Sequence, residues 1–162
     1  MENILGTIYG WFKSFYNQEL DYFMWGWNPN TPNNPYSNTN FYNHIGLITL
    51  VISVLLVILF YYIVNHPRFC KWWSWLLTML SNGIIALLIG FGIVYNQWQA
   101  GNIPADLLAI YDENGQVVTW LITSTTCWGF GIANMFVAMI AFVLLSFMLK
   151  WWSSSAKHVP FL

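Results

Sequence analysis

The chain has 162 residues, the size of one domain, and a formal net charge of -1. Only 7% of the residues are charged, against about 25% in a typical soluble domain, while 57% are hydrophobic and 20% aromatic. A body this small has much surface for its volume. Five basic and six acidic residues therefore exclude an ordinary soluble shell, and with no basic stripe to neutralise phosphates no nucleic-acid partner is expected.

Residues 1–18 read as an amphipathic helix. Ile4, Leu5, Ile8, Trp11, Phe12, Phe15 and Tyr16 recur at helical spacing, and Glu2, Asn3, Thr7, Lys13, Ser14 and Asn17 take the other face. Such a helix is expected to lie along a membrane surface or pack on neighbouring loops, or alternatively to dock a partner. Residues 26–43 read as a loop, because seven of the sixteen positions from Asn28 to Asn43 are Asn, interleaved with Pro29, Pro32 and Pro35. No Asn sits in a glycosylation sequon, which favours a bacterial source.

Ile45 to Val64 is uncharged. Its twenty residues make about 30 Å of helix, the thickness of a bilayer's hydrocarbon core. It starts too far into the chain, and is too long, for a cleaved signal, so the whole chain is expected to be retained. The link from Asn65 to Lys71 is short, with Asn65 as a helix cap and Pro67 tolerated in a first turn, so the next span should return as a tight helical hairpin. That second span runs from Trp72 to Tyr95, uncharged. In residues 96–127, Leu107 to Tyr111 and Gln116 to Ile122 flank Asp112-Glu113-Asn114-Gly115, a β-hairpin signal. A third uncharged span runs from Trp128 to Leu149.

The fold class expected is an all-α integral membrane protein. It has three transmembrane helices, an amphipathic N-terminal helix and a small extracytoplasmic β-hairpin. Its parts are 1–43, 44–95, 96–127 and 128–162. Arg68 and Lys71 in the first link, and Lys150 and Lys157 after the third span, fall on one side, and positive residues at span ends stay in the cytoplasm. The N-terminus is then outside and the C-terminus cytoplasmic, in a bacterial inner membrane. Trp72, Trp73, Trp75, Trp128, Trp151 and Trp152 sit at span ends and read as membrane-interface anchors. Cys70 and Cys127 fall on opposite sides and are not expected to pair.

No catalytic constellation is legible. His44, His66 and His158 lack partners at metal-binding spacing, there is no phosphate loop or nucleophile elbow, and no ionisable residue lies within a span. No catalytic residue, metal site or cofactor is therefore assigned. The spans carry instead small and polar residues suited to close helix approach: Thr78, Asn82, Ala86 and Gly90 in the second, Gly129, Ala133 and Asn134 in the third, with Gly46, Thr49 and Ser53 in the first. These faces serve packing within the chain, contact between copies with Asn82 and Asn134 bonding across, or a pore lined by the second span. A pore stripe through Ser74, Thr78 and Ser81 runs into Ile85, Leu88 and Ile89, a hydrophobic constriction.

The role expected is non-enzymatic: a structural subunit of a larger membrane or envelope assembly, such as a secretion complex. Its partners would be the lipid bilayer and either further copies or other membrane proteins. The alternative is an oligomeric channel or pore-type effector. A third class, a lipid or small-molecule binder, calls for a pocket between Trp11, Trp25, Trp27 and Trp120.

Overall fold

The computed structural model describes residues 4–63 and 72–150. It is 71% helical, with three helices long and apolar enough to cross a membrane and one two-stranded sheet. The elements are α1 (Ile4–Gly10), α2 (Gln18–Trp25), α3 (Phe41–Ile58, ending in a looser π-type turn, Leu59–Ile63), α4 (Trp72–Gln99), α5 (Ala105–Leu108), β1 (Ala109–Tyr111), β2 (Val117–Trp120) and α6 (Ser124–Lys150). The apolar stretches are Phe41–Tyr61, Trp72–Gln99 and Ser124–Leu149, with mean hydropathies of 2.6, 2.1 and 2.4.

The N-terminal segment departs from the single helix expected over residues 1–18. α1 stops at Gly10, a short 3-10 turn covers Lys13–Phe15, and Tyr16 is extended before α2 begins. Asn17 causes the restart, because its side-chain oxygen accepts from the Leu20 backbone N–H. The break also changes which face is buried. Ile4, Trp11 and Phe15, assigned by spacing to the apolar face, are exposed, and Gly6 and Tyr9, outside that face, turn inward together with Tyr16, which spacing did place on it. Beyond Gly10 helical spacing fails because the chain is no longer one helix, while within α1 the buried side is set by Trp25 over Gly6 and by Tyr42 and Phe130 against Tyr9.

α2 ends at Gly26, whose φ of 88° is left-handed and whose N–H returns to the Phe23 and Tyr22 carbonyls. A β-carbon there would run into the Asn38 carbonyl. The Asn/Pro loop is held by its own backbone, with Asn28 N–H to Pro35 O at 2.7 Å and Asn38 N–H to Gly26 O at 3.0 Å. It ends sooner than expected: Asn40 caps α3 by accepting from the Asn43 N–H at 3.1 Å, so Phe41, Tyr42 and Asn43 are helical. The helices of the other two spans are likewise longer at the same end, α4 reaching Gln99 and α6 starting at Ser124.

α4 and α6 share the largest contact, and α3 packs on α6 more than on α4. The close approach follows from the side chains at the crossing. A β-carbon at Gly131 would stand 3.0 Å from the Leu87 carbonyl oxygen, and one at Gly90 3.0 Å from the Asn134 side chain. At one end α1, α2, the loop, α5 and the sheet form a cap. Tyr9, Leu20, Met24, Tyr42, Ile122 and Phe130 make its fully buried core, with Tyr9 stacked on both Tyr42 and Phe130, whose ring centroids lie 6.2 Å apart. A smaller cluster at the far end joins Val57, Phe60, Tyr61 and Phe142.

β1 and β2 pair antiparallel, Ala109 opposite Trp120 and Ile110 opposite Thr119, with an irregularity between Ile110 and Tyr111. In the turn the Asp112 carboxylate accepts from the Asn114 and Gln116 N–H groups, and Gly115 takes the positive φ, 75°. Ile110, Val118 and Trp120 are more than half exposed.

Candidate functional site

Polar side chains in the described interior form a chain of hydrogen bonds running from the cap down the bundle axis. At the top, Lys13 Nζ meets Asp21 Oδ2 at 2.8 Å, and the Tyr42 hydroxyl donates to Asp21 Oδ1 at 2.6 Å. The Tyr16 hydroxyl lies 2.9 Å from that of Tyr42 and 3.1 Å from the Tyr9 carbonyl oxygen. Asp21 is buried, and a buried carboxylate requires this pairing, since taking an uncompensated charge from water costs several kcal/mol, on the order of the whole stability of a small domain. The hydrogen bond to Asp21 holds the Lys13 ammonium above its usual range, and burial pushes the Tyr16 phenol up to about 12. Burial likewise raises Tyr9.

One helical turn deeper, Asn134 joins four elements. Its Oδ1 accepts from the Tyr9 hydroxyl at 2.5 Å and from Thr49 Oγ1 at 3.0 Å, and its Nδ2 donates to the Ala86 carbonyl at 2.7 Å. α1, α3, α4 and α6 thus meet at one amide. Deeper again, Asn82 Nδ2 donates to Ser53 Oγ at 3.0 Å and to the Ala138 carbonyl at 3.0 Å. At the far end Trp75 Nε1 donates to Ser146 Oγ at 3.3 Å. No buried side-chain nitrogen or oxygen among the described residues lacks a partner. The arrangement joins elements to each other and turns its donors and acceptors inward.

The residues singled out by sequence are therefore distributed as follows. Asn82, Ala86, Gly90, Ala133 and Asn134 are buried between helices of this one chain, and the bonding capacity of both asparagines is engaged there. Thr78 is half-buried and bonds to the Ser74 carbonyl of its own helix. Gly129 serves a different contact from helix on helix: the Phe15 carbonyl lies where its β-carbon would stand, so it seats the N-terminal segment. Among the aromatic residues, Trp72 and Trp73 are exposed at the start of α4, and Trp128 is also exposed while stacking on Phe91 with ring centroids 4.2 Å apart. Trp151 and Trp152 lie outside the described residues, as do Cys70, His66, His158, Arg68, Lys71 and Lys157.

Sequence reasoning passed over Tyr9, Asp21 and Tyr42. Tyr9 fell between the two helical faces, and Lys13 and Asp21 are eight residues apart, about 12 Å along one helix and too far to pair on it. Only the break at Gly10 and the restart at Asn17 bring them together. The one available signal was an acid, Asp21, set in an aromatic stretch, Tyr22-Phe23-Met24-Trp25, where its charge needs a partner.

Among the described residues, hollows on the surface include the following two. One, of about 220 Å³, is an apolar groove between α1, α3 and α6, including Leu5, Gly46, Leu50, Ala141 and Leu144. The other, of about 180 Å³, lies in the cap and mixes aromatic and amide walls: Phe23, Trp27 and Phe41 with Asn38, Thr39, Gln97 and Asn102. Of the four tryptophans expected to enclose a ligand pocket, only Trp27 lines it. Trp25 instead covers Gly6 and meets Tyr42 edge-on. No group of three or more His, Cys, Asp or Glu side chains converges among the described residues.

No family model, no curated protein and no solved structure matches the chain.

Proposed function

We propose that the chain is a non-enzymatic structural subunit of a larger membrane or envelope assembly, such as a bacterial secretion complex. In this reading its three apolar helices cross the inner membrane, with the cap outside and the C-terminus in the cytoplasm. The orientation rests on Arg68, Lys71, Lys150 and Lys157. The observation that carries the subunit reading is the hairpin. It exposes Ile110, Val118 and Trp120 although its two strands are too few to be stable without a surface to pack on. Each strand also has an edge unpaired within the described residues, a template for further pairing.

The test is the mass of the detergent-extracted complex, with every co-purifying chain identified, for the natural protein and for Val118→Glu. A defined set of other envelope proteins that is lost in the variant supports the reading. A monomer in both overturns it. A homo-oligomer with no other chain moves the reading to the alternative, an oligomeric channel or pore-type effector. That alternative draws support from Ser81 and Gly92, which α4 turns outward. Conductance of the natural protein and of Ser81→Leu would then be compared in planar bilayers.

A further inference from the structure

We propose that the hollow between the Asn/Pro loop, the start of α3 and the end of α4 binds a neutral polyhydroxylated ring, either a free sugar or the sugar headgroup of a lipid. At about 180 Å³ it has room for one six-membered ring, since an engineered cavity of about 150 Å³ holds benzene.

The chemistry of its walls selects among rings. Phe23 and Phe41, stacked at 5.1 Å, and the Trp27 ring offer aromatic surface whose negative faces attract the C–H side of a saturated ring. The polar groups carry unspent bonding capacity. Gln97 Oε1 accepts from Asn102 Nδ2 at 2.8 Å, which leaves the Gln97 amide hydrogens and the Asn102 carbonyl oxygen without a partner among the described residues. The Thr39 hydroxyl and the Trp27 indole N–H are in the same state. Asn38 is not: it donates to the Trp27 carbonyl and accepts from Asn28, so it acts as a wall.

Residues carrying two donors, one acceptor and one hydroxyl that serves as either thus line one concavity. Sugar hydroxyls each donate and accept, so they match this set. None of the described side chains lining the hollow is ionisable, which disfavours a phosphate, a carboxylate or an ammonium. Thr39 and Asn102 are exposed, so water partners them in the free protein, and a bound sugar would exchange its hydroxyls for that water. The site is independent of the subunit reading.

The full chain, purified in a sugar-free zwitterionic detergent, would be probed by saturation-transfer NMR with methyl β-D-glucoside and with the corresponding glucuronate. A parallel arm uses phosphatidylcholine nanodiscs with and without monoglucosyl diacylglycerol. Transfer to the glucoside ring protons is expected, reduced at least fivefold in Gln97→Leu and in Thr39→Val and unchanged in Glu113→Gln on the hairpin turn. The two site variants back each other, and circular dichroism of each checks that it is folded. Transfer to the free glucoside assigns a soluble sugar, and transfer only in the glycolipid discs assigns a headgroup. No transfer in either arm, transfer unaffected by both site variants, or equal transfer to the glucuronate would overturn the proposal.

Discussion

Asn134→Leu tests whether the buried hydrogen-bond chain holds the cap to the bundle. The substitution removes the acceptor for the Tyr9 hydroxyl and for Thr49 Oγ1, and the donor to Ala86 O. Thr49 is inside a helix, so its hydroxyl can turn to the carbonyl four residues earlier and loses little. Tyr9 is fully buried, and its phenol would be left without a partner, a cost of about 1–3 kcal/mol. The lost bond to Ala86 O adds about 0.6 kcal/mol. The total is about 2–4 kcal/mol. In a Tyr9→Phe background no phenol remains to be orphaned and only the bond to Ala86 is lost, so the same change should cost only about 0.6 kcal/mol. A double-mutant cycle measured by reversible unfolding in bicelles should therefore show coupling of about 1–3 kcal/mol. A loss under about 0.5 kcal/mol for Asn134→Leu, or strictly additive losses, would refute the reasoning.

Gly129→Ala should displace residues 13–16, because the new methyl meets the Phe15 carbonyl; a cost of about 1–3 kcal/mol is expected, read as faster chymotryptic cleavage near Trp11 and Phe15. Alkaline pH should loosen the cap. Tyr16 ionises near 10.0 when unfolded and only near 12 when folded, so between those values the unfolded chain binds fewer protons and stability falls as pH rises. Lys13, also raised in the fold, acts in the same direction, and near-ultraviolet circular dichroism should show the loss, diminished in Tyr16→Phe. Cys127 is fully buried, so an impermeant maleimide should miss it until unfolding. Labelling of intact spheroplasts then reports Cys70 alone, and a positive signal there would invert the proposed orientation.

The three long helices were legible because each is a charge-free stretch, and hydrophobic length is a property of the sequence alone. The hairpin was legible because Asp112-Glu113-Asn114-Gly115 is local turn chemistry, fulfilled by the Asp112 carboxylate and the φ of Gly115. The cap was not legible. Its form depends on one helix stopping at Gly10 and another starting at Asn17, and an amphipathic pattern across both looks continuous on paper. Nor could spacing decide who would meet Asn134, because its partners Tyr9 and Thr49 lie 125 and 85 residues away. Gly129 illustrates the same limit. Sequence marks a small residue as a place of close approach, while only the fold says that the approaching group is the carbonyl of Phe15.

The division of α4 into two faces bears on which functional proposal is stronger. Ser74, Thr78, Ser81 and Asn82 fall roughly on one side of a helical wheel, yet each residue adds about 100° of turn, so Ser81 and Asn82 point apart. Asn82 is committed to Ser53 and the Ala138 carbonyl, while Ser81 is exposed. A water path lined by α4 in an oligomer would have to use the Ser81 side. Beyond Ser81 that side presents Ile84, Ile85 and Leu88, all exposed, before it reaches Gly92. An apolar stretch of that length favours contact with lipid or another helix over contact with water. Lipid alone satisfies the outward face of α4, so that face weakens the channel reading without calling for a partner, and it is the apolar hairpin that favours the subunit reading.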